Sequence, residues 1–203
     1  MEIKVAHDVT CGFCWIAIFQ IRQLKMEFPD VDFRWVGYEM MPLELEWEKA
    51  STPPPAPPAN KPKTPTRFEF ALEASGVEWP QVQRPRLMRT NNIVHAFEFA
   101  YDAGVGNEFI ERVYEAYYRE GQEVNQVEVI VALAEGLIED IEGLKAAIEE
   151  NRYADRVVKF DDEAYSKGIY NLPTFFIGDQ RLAEQPTSVL RKAIIEARNL
   201  QPA

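Results

Sequence analysis

The two cysteines of the chain, Cys11 and Cys14, lie three positions apart in the segment DVTCGFCW. Thiols at this spacing can form a redox couple, contribute half of a metal site, or sit inertly in a core. Two cysteines placed at random in 203 residues would lie three apart in roughly 1% of cases, so the spacing argues against accident. This pair is therefore the first candidate for chemistry.

The position of the pair in the chain favours redox chemistry. Residues 2–9 mix β-forming and polar side chains and predict a strand that stops at Asp8 or just after it. A helical pattern then runs from Gly12 to Pro29. Cys11 then lies at a helix N-terminus, where free backbone N–H groups and the helix dipole favour a thiolate. We expect Cys11 to be the nucleophile. Cys14, one turn later, is expected to resolve a mixed disulfide formed at Cys11.

The alternatives for the pair rest on the residues around it. A metal site needs two further ligands, and the chain offers no third cysteine and only His7 and His95 as histidines. Their spacing is not that of a known zinc site, so no metal is expected, while an inert buried pair stays open. His7 or Asp8 could accept a proton from Cys14, or both could be exposed polar groups at the strand end, because alternation does not decide which one faces the sulfurs.

Composition and charge exclude several function classes. Hydrophobic residues make up 46% of the chain and charged residues 27%, as in ordinary globular proteins. The net charge of −11 repels phosphate backbones, so no nucleic-acid partner is expected. No apolar run is long enough for a membrane span, and the first residues lack the pattern of a signal peptide. The sequence predicts a cytoplasmic protein without a membrane partner.

The remaining elements predict an α/β fold with a helical insertion. A second strand over 31–38 completes a βαβ unit. Residues 52–65, TPPPAPPANKPKTP, hold seven of the fourteen prolines and predict either a stiff connection or a docking segment. Helical patterns follow to residue 168, and a hairpin over 173–183 and a terminal helix after Pro186 close the chain.

Three details of the helical patterns are expectations of their own. Asn125 to Glu128 reads as a capping pattern, Gly121 as a helix end, and residues 153–168 as one helix ending at Gly168. We divide the chain into a first βαβ half (1–40), a Pro-rich connection (41–66), a helical insertion (67–155) and a second half (156–203).

Together, the strand, DVTCGFCW, the long helix, the helical insertion and the late NLPTFFIGD resemble the DsbA-like branch of the thioredoxin superfamily. More narrowly, they resemble FrnE-type dithiol oxidoreductases, which are related to 2-hydroxychromene-2-carboxylate isomerases and kappa-class glutathione transferases. The resemblance implies a thioredoxin-like fold with an all-helical insertion domain.

The resemblance also implies a substrate site around the two sulfurs. It places a cis peptide at Leu172–Pro173 opposite the cysteines. The implied substrate-binding residues are Gly12, Phe13, Leu172, Pro173, Thr174 and His95. Within MRTNNIVHAFEFA, His95 corresponds to the family's histidine, although the residues alone favour a packing or helix-surface role for it. Most aromatic side chains are expected in the core, and some, Phe97 among them, could line an apolar groove above the sulfurs.

The expected function is thiol-disulfide oxidoreductase or isomerase activity through Cys11 and Cys14 on protein or peptide thiols. Relatives that transfer or isomerise with glutathione carry a serine at the position of Cys11, so two cysteines favour dithiol chemistry. No cofactor or metal is required, and glutathione is a candidate redox partner. The alternatives are a glutathione-dependent transferase or isomerase, and a non-catalytic peptide-binding protein or chaperone. The direction of the reaction and the choice between monomer and homodimer stay open.

Overall fold

A mixed sheet organises the chain. The computed structural model describes residues 1–45, 64–85 and 88–200. Its strands are β1 (Glu2–His7), β2 (Asp32–Glu39), β3 (Val158–Lys159), β4 (Thr174–Ile177) and β5 (Gln180–Ala183). They form one sheet in the order β3-β2-β1-β4-β5. The pairs β1 with β2 and β2 with β3 are parallel, whereas β4 runs antiparallel to β1 and to β5.

The helices connect and cover this sheet. They are α1 (Gly12–Glu27), α2 (Arg67–Ser75), α3 (Asn91–Asp102), α4 (Gly106–Glu120), α5 (Val127–Ala134), α6 (Ile141–Glu149), α7 (Asp162–Ser166) and α8 (Thr187–Asn199). Helix α1 joins β1 to β2, and helices α2 to α6 lie between β2 and β3 in the chain. The predicted α/β fold with a helical insertion is confirmed. Within the described ranges, no helix has both the length and the apolar character needed to cross a membrane.

The first βαβ unit matches its prediction because its apolar residues face one interior. Ile3 and Val5 of β1 are fully buried, and β1 pairs in parallel with β2 from Glu2 opposite Asp32 to His7 opposite Gly37. His7 lies on the same face of β1 as Ile3 and Val5, because side chains of a strand alternate between its faces, which explains why His7 is also buried. The end of β1 and the start of α1 therefore lie in the protein interior.

Helix α3 of the insertion packs directly on β2. A Cβ built on Gly37 would lie 3.0 Å from Cβ of Val94, so the absence of a side chain at Gly37 permits this close approach. The contact is reinforced by Arg34 of β2, which donates to the buried Glu98 carboxylate of α3 at 2.6 Å. The insertion is thus fixed to the sheet by both packing and charge.

The predicted helix over 153–168 is wrong in its extent, whereas the predicted helix end at Gly168 is confirmed by the left-handed φ of 74° at this glycine after α7. Val158 and Lys159 form β3, opposite Tyr38 and Glu39 of β2, and α7 is confined to Asp162–Ser166. Ladder hydrogen bonds to the edge of β2 satisfy the backbone here, and the side chain of Phe160, expected on the buried stripe, is 54% exposed. Helical spacing of apolar residues does not reveal that a neighbouring strand competes for the same backbone.

The expected capping pattern at Asn125 is also wrong, whereas the helix end at Gly121 is confirmed. Gly121 adopts a left-handed φ of 71° as the C-cap of α4. Helix α5 has Gln126 as its N-cap, without a side-chain cap. The Asn125 side chain instead accepts from the backbone N–H of Ile93 at 3.1 Å, so it supports the first turn of α3.

The terminal elements follow their predictions. The hairpin of β4 and β5 turns at Gly178, which has a left-handed φ of 55°, and α8 starts directly after Pro186. Most of the Pro-rich segment, residues 52–63, lies outside the described residues. Immediately after it, Thr66 and Glu69 form a reciprocal capping box that begins α2.

Removing Arg34 should destabilise the fold strongly. Arg34→Met leaves the Glu98 carboxylate, whose side chain is 2% exposed, with only the more distant Arg156 at 3.6 Å. We expect a loss of about 2–4 kcal/mol in the free energy of unfolding, because a buried charge without its partner is costly. Urea denaturation followed by circular dichroism measures this loss.

The matched control is Arg156→Met, since the Arg156 side chain is 44% exposed and more distant from Glu98. We expect a loss below about 1 kcal/mol for this variant. Equal losses for the two variants would contradict the assigned role of Arg34.

Candidate active site

Cys11 occupies the junction between β1 and α1. It is the N-cap residue of α1, with extended backbone (φ −79°, ψ 115°), and it is partly exposed. Its N–H donates to the carbonyl of Asp8 at 3.1 Å, and its carbonyl accepts from the N–H of Cys14 at 2.9 Å. Cys14 is fully buried. The structure thus presents one sulfur to the surface and keeps the second behind it.

The surroundings set the pKa values of the two thiols in opposite directions. The pKa of Cys11 is lowered, first by a hydrogen bond from the Cys14 side chain and further by the backbone N–H groups of Cys14 and Phe13, against the effects of burial and of Asp8. The pKa of Cys14 is raised well above its usual range by burial and by the neighbouring Cys11. The surroundings therefore favour the thiolate at Cys11 and the protonated thiol at Cys14.

The loop before β4 lies against Cys11. The peptide bond Leu172–Pro173 is cis, as the resemblance implies, and the carbonyl oxygen of Leu172 lies 3.4 Å from Sγ of Cys11. The Thr174 hydroxyl donates to the carbonyl of Asn171 at 2.5 Å, and its side chain is buried. Leu172 and Pro173 thus border the sulfur, whereas the hydroxyl of Thr174 stabilises the loop.

Asp8 joins the cysteine loop to three other parts of the chain. One oxygen of its carboxylate accepts from the N–H of Thr10 at 2.8 Å and from the Thr10 hydroxyl at 2.6 Å. The other accepts from the N–H of Met40 at 3.1 Å and from the Thr90 hydroxyl at 2.9 Å. Burial raises the pKa of Asp8 although all four bonds oppose the rise. Neither His7 nor Asp8 is an exposed strand-end residue, so that alternative is wrong.

His7 has a packing role supported by one hydrogen bond. Its Nδ1 lies 2.9 Å from the hydroxyl of Tyr114, which donates to the carbonyl of Asp8 at 3.1 Å. The single phenolic proton is used on Asp8, so Nδ1 of His7 is the donor to Tyr114. Burial, reinforced by the charge of Arg34, lowers the pKa of His7 to about 3, which keeps the ring neutral.

Within the described ranges, no group of three His, Cys, Asp or Glu residues could hold a metal ion.

Helix α2 and the segment after it cover the dipeptide between the cysteines. A Cβ built on Gly12 would lie 3.0 Å from the ring of Phe68 and 3.3 Å from Trp79, so glycine leaves room for both rings. The ring of Phe13 packs edge-on against Phe68 at 5.2 Å between centroids, and the Arg67 guanidinium lies 5.2 Å from the Phe13 ring. Sequence reasoning missed these contacts, because nothing in the local pattern links residues so distant in the chain.

An open groove of about 590 Å³ begins beside the cysteines. Its apolar lining comes from Phe13 and Ile16 of α1, Phe70 and Ala71 of α2, and Pro173. Gln20, Glu184 and Arg191 add polar groups. Eight of its fifteen lining residues are polar or charged, so the groove offers a ligand hydrogen-bonding groups as well as apolar surface.

Two expected substrate contacts lie elsewhere. Phe97 is buried in the core against His7 and Phe109, so the expectation that it lines a groove is wrong. His95 is 1% exposed, and its Nδ1 accepts from the N–H of Tyr153 at 3.1 Å. The structure gives His95 the packing role and leaves it almost no surface for a substrate.

The sheet order, the exposed cysteine at a helix start and the cis-proline loop beside it define a thioredoxin-fold protein. The family model of the DSBA-like thioredoxin domain matches residues 2–194, and the chain belongs to this family. The uncharacterized protein YwbO of Bacillus subtilis is 28% identical over 186 residues, which cover 88% of each chain.

Solved structures share the fold. A probable DsbA oxidoreductase from Streptomyces coelicolor superposes with a TM-score of 0.74 at 18% identity, over 100% of this chain and 92% of that one. The cytosolic disulfide reductase DsbM from Pseudomonas aeruginosa, solved with GSH, gives 0.62 at 18% identity, over 98% and 96%. A 2-hydroxychromene-2-carboxylate isomerase gives 0.67 at 12% identity, over 100% of both chains. The shared fold therefore includes both oxidoreductases and an isomerase.

The two cysteines should differ sharply in reactivity. In the reduced protein, iodoacetamide should modify Cys11 first, with a midpoint pH below that of an ordinary thiol, because its pKa is lowered. Cys14 is buried and its pKa is raised, so its rate of modification should be at most about a tenth of that of Cys11. Peptide mass spectrometry across a pH series measures both rates. Equal labelling of the two thiols would contradict the assignment.

Proposed function

We propose that the protein is a thiol-disulfide oxidoreductase that exchanges electrons through Cys11 and Cys14. The observation that supports this most directly is the unequal pair: a partly exposed thiol of lowered pKa at the N-terminus of α1, with a buried thiol of raised pKa behind it. This is the arrangement that a nucleophile and a resolving thiol require.

The reduction of a disulfide would proceed in two exchanges. The Cys11 thiolate attacks one substrate sulfur, a mixed disulfide forms, and the first substrate thiolate leaves. Cys14 then loses its proton and attacks Sγ of Cys11, which releases the second substrate thiolate and forms the Cys11–Cys14 disulfide. Two electrons pass to the substrate, and two thiol groups of a reductant return the protein to its dithiol state. The reverse sequence oxidises a substrate dithiol.

Asp8 is the proposed proton acceptor for Cys14. The charge of Asp8 raises the pKa of the Cys14 thiol and its backbone N–H lowers it, so Asp8 acts electrostatically on Cys14. The raised pKa of Asp8 brings its carboxyl nearer to the range in which it can take and return a proton.

Protein or peptide thiols are the proposed substrates, and glutathione is the proposed redox partner in a cytoplasmic setting. The groove of about 590 Å³ beside Phe13 and Pro173 has room for a short extended segment or a small thiol. DsbM, which shares the fold, is a cytosolic disulfide reductase whose structure was solved with GSH, and this supports the choice of glutathione.

A redox titration tests the proposal. The reduced fraction of the cysteine pair is read by alkylation mass shift after equilibration in a series of glutathione buffers. We expect a reversible two-electron transition, whose midpoint gives the direction that a cellular thiol pool would impose. Absence of a transition would overturn the proposed function.

Single cysteine variants separate the alternative functions. Cys11→Ser should abolish disulfide reduction, whereas Cys14→Ser should accumulate a mixed disulfide with the substrate. A glutathione-dependent isomerase would be largely indifferent to Cys11→Ser, and a binding protein would retain its peptide affinity while showing no turnover in either form.

Asp8→Asn should separate the two exchange steps. Removal of the carboxylate charge should lower the pKa of Cys11, because that charge now raises it. It should also slow the release of the mixed disulfide about a hundredfold, as expected for loss of a positioned base. Rapid quenching with mass spectrometry follows both steps.

Thr90→Val is the matched control for Asp8→Asn. It removes one hydrogen bond to the same carboxylate and keeps the charge. A similar slowing in both variants would mean that Asp8 acts by holding the loop and not by accepting a proton.

A further inference from the structure

A second cavity lies beside the cysteine loop and is lined by different residues from those of the groove. It has a volume of about 470 Å³. Its lining residues are Thr10, Trp79, Pro80, Gln81, Val82, Gln83, Arg84, Tyr117 and Tyr118. Arg84 is the one charged residue in this lining.

The lack of an acidic residue distinguishes this cavity. Three other cavities of the described chain each include carboxylates: Glu184 in the groove, Glu2 and Asp179 in a third cavity, and Asp102, Glu139 and Asp140 in a fourth. Acidic residues outnumber basic ones by 33 to 22 in the chain. A cavity in which the one charged lining residue is basic is therefore unexpected. Such a cavity offers a local positive potential within a negative protein.

Arg84 is held in place by groups that leave its charge uncompensated. Its Nη1 donates to the carbonyl of Tyr118 at 3.0 Å, and Nη1 and Nη2 both donate to the carbonyl of Pro80 at 3.4 Å. The guanidinium also lies 4.3 Å from the centroid of the Trp79 ring. The carbonyls and the ring fix the orientation of the fork without neutralising it. Among the described residues, no carboxylate pairs with Arg84. Since Nη1 and one N–H of Nη2 are used on backbone carbonyls, the Nε–H and the second N–H of Nη2 form the edge that can bind a carboxylate ligand through parallel donors.

The cavity is connected to the reactive sulfur through two residues. Thr10 lines the cavity and directly precedes Cys11 in the chain. Trp79 contacts the Arg84 guanidinium and also lies against Gly12, between the two cysteines. A substrate whose sulfur reacts at Cys11 can therefore extend along Trp79 toward Arg84.

A neighbouring hydroxyl is also left without a partner. Tyr118 lines the cavity and is buried, and its hydroxyl makes no hydrogen bond to any described residue. An unpaired buried donor is costly in a folded protein. Among the described residues, the Tyr118 hydroxyl therefore lacks the hydrogen bond that buried polar groups of a protein core normally make.

From this geometry we infer that the second cavity, with Arg84 in its lining, is a carboxylate subsite, which selects acidic thiols and disulfides as substrates. The inference rests on the proposed redox function and adds its substrate class. The carboxylate could belong to an acidic residue near the cysteine of a peptide or to a small acidic thiol, and both present the same group to Arg84.

A pair of small disulfides of opposite charge character tests the subsite. The reduced protein is mixed with dithiodipropionate, which carries carboxylates, or with neutral hydroxyethyl disulfide, and tryptophan fluorescence follows a single turnover. We expect Arg84→Gln to slow the reaction with the diacid roughly tenfold, and to leave the neutral reaction unchanged within about twofold. The preference for the diacid should also weaken as salt is added.

Two variants control for structural effects. Arg84→Lys keeps the charge without the fork and should retain part of the preference. Arg112→Gln is the matched control, because Arg112 is also partly buried and donates to backbone carbonyls, those of Leu133 and Glu135, outside both cavities. It should change neither rate.

Peptide disulfides flanked by Glu or by Gln separate the two sources of the carboxylate. A preference for the Glu peptide that disappears in Arg84→Gln assigns the subsite to peptides, and a preference limited to the small diacid assigns it to small thiols. Equal rates for charged and neutral substrates, or equal slowing of both by Arg84→Gln, would overturn the subsite and leave the redox function standing. No reaction with any disulfide would instead overturn the redox function.

Discussion

The buried carboxylate of Asp8 is the constraint on which the site depends. It receives hydrogen bonds from the loop before α1, from the backbone after β2 and from the hydroxyl of Thr90 at the start of α3. The backbone carbonyl of Asp8 accepts from the N–H of Cys11 and from the hydroxyl of Tyr114 on α4. A polar group at the end of the central strand must be satisfied in place, and its partners come from elements distant in the chain. The same bonds that satisfy Asp8 therefore fix the position of Cys11.

This position gives the two thiols their different chemistry. Cys11 caps a helix and receives donors, whereas Cys14 lies one turn inside and faces the apolar interior. The pKa of Cys11 is lowered by the hydrogen bond from the Cys14 side chain and by backbone N–H groups, and the pKa of Cys14 is raised by burial and by Cys11, so no positively charged partner is needed. The fixed loop of Leu172 and Pro173 then limits the side from which a substrate can approach.

The helical insertion shapes both sides of the cysteine motif. Helix α2 supplies Phe70 and Ala71 to the groove, and the segment after it places Trp79 and Arg84 at the second cavity. The sheet and α1 position the Cys11 sulfur, whereas the insertion provides four of the fifteen residues that line the groove and eight of the nine that line the second cavity.

The loop at Pro173 was implied by the family resemblance, whereas the amino-acid sequence alone was enough to predict the local features: the strand, the helix start and the pair Cys11 and Cys14. These depend on spacing and on residue type over a few positions, which a single chain shows directly. The tertiary structure alone decided that residues 158–159 join the sheet and that His95 and Phe97 pack inside. It also placed Arg84 beside the motif. These outcomes depend on contacts between residues tens of positions apart, and competition among such contacts leaves no periodic signal in the chain.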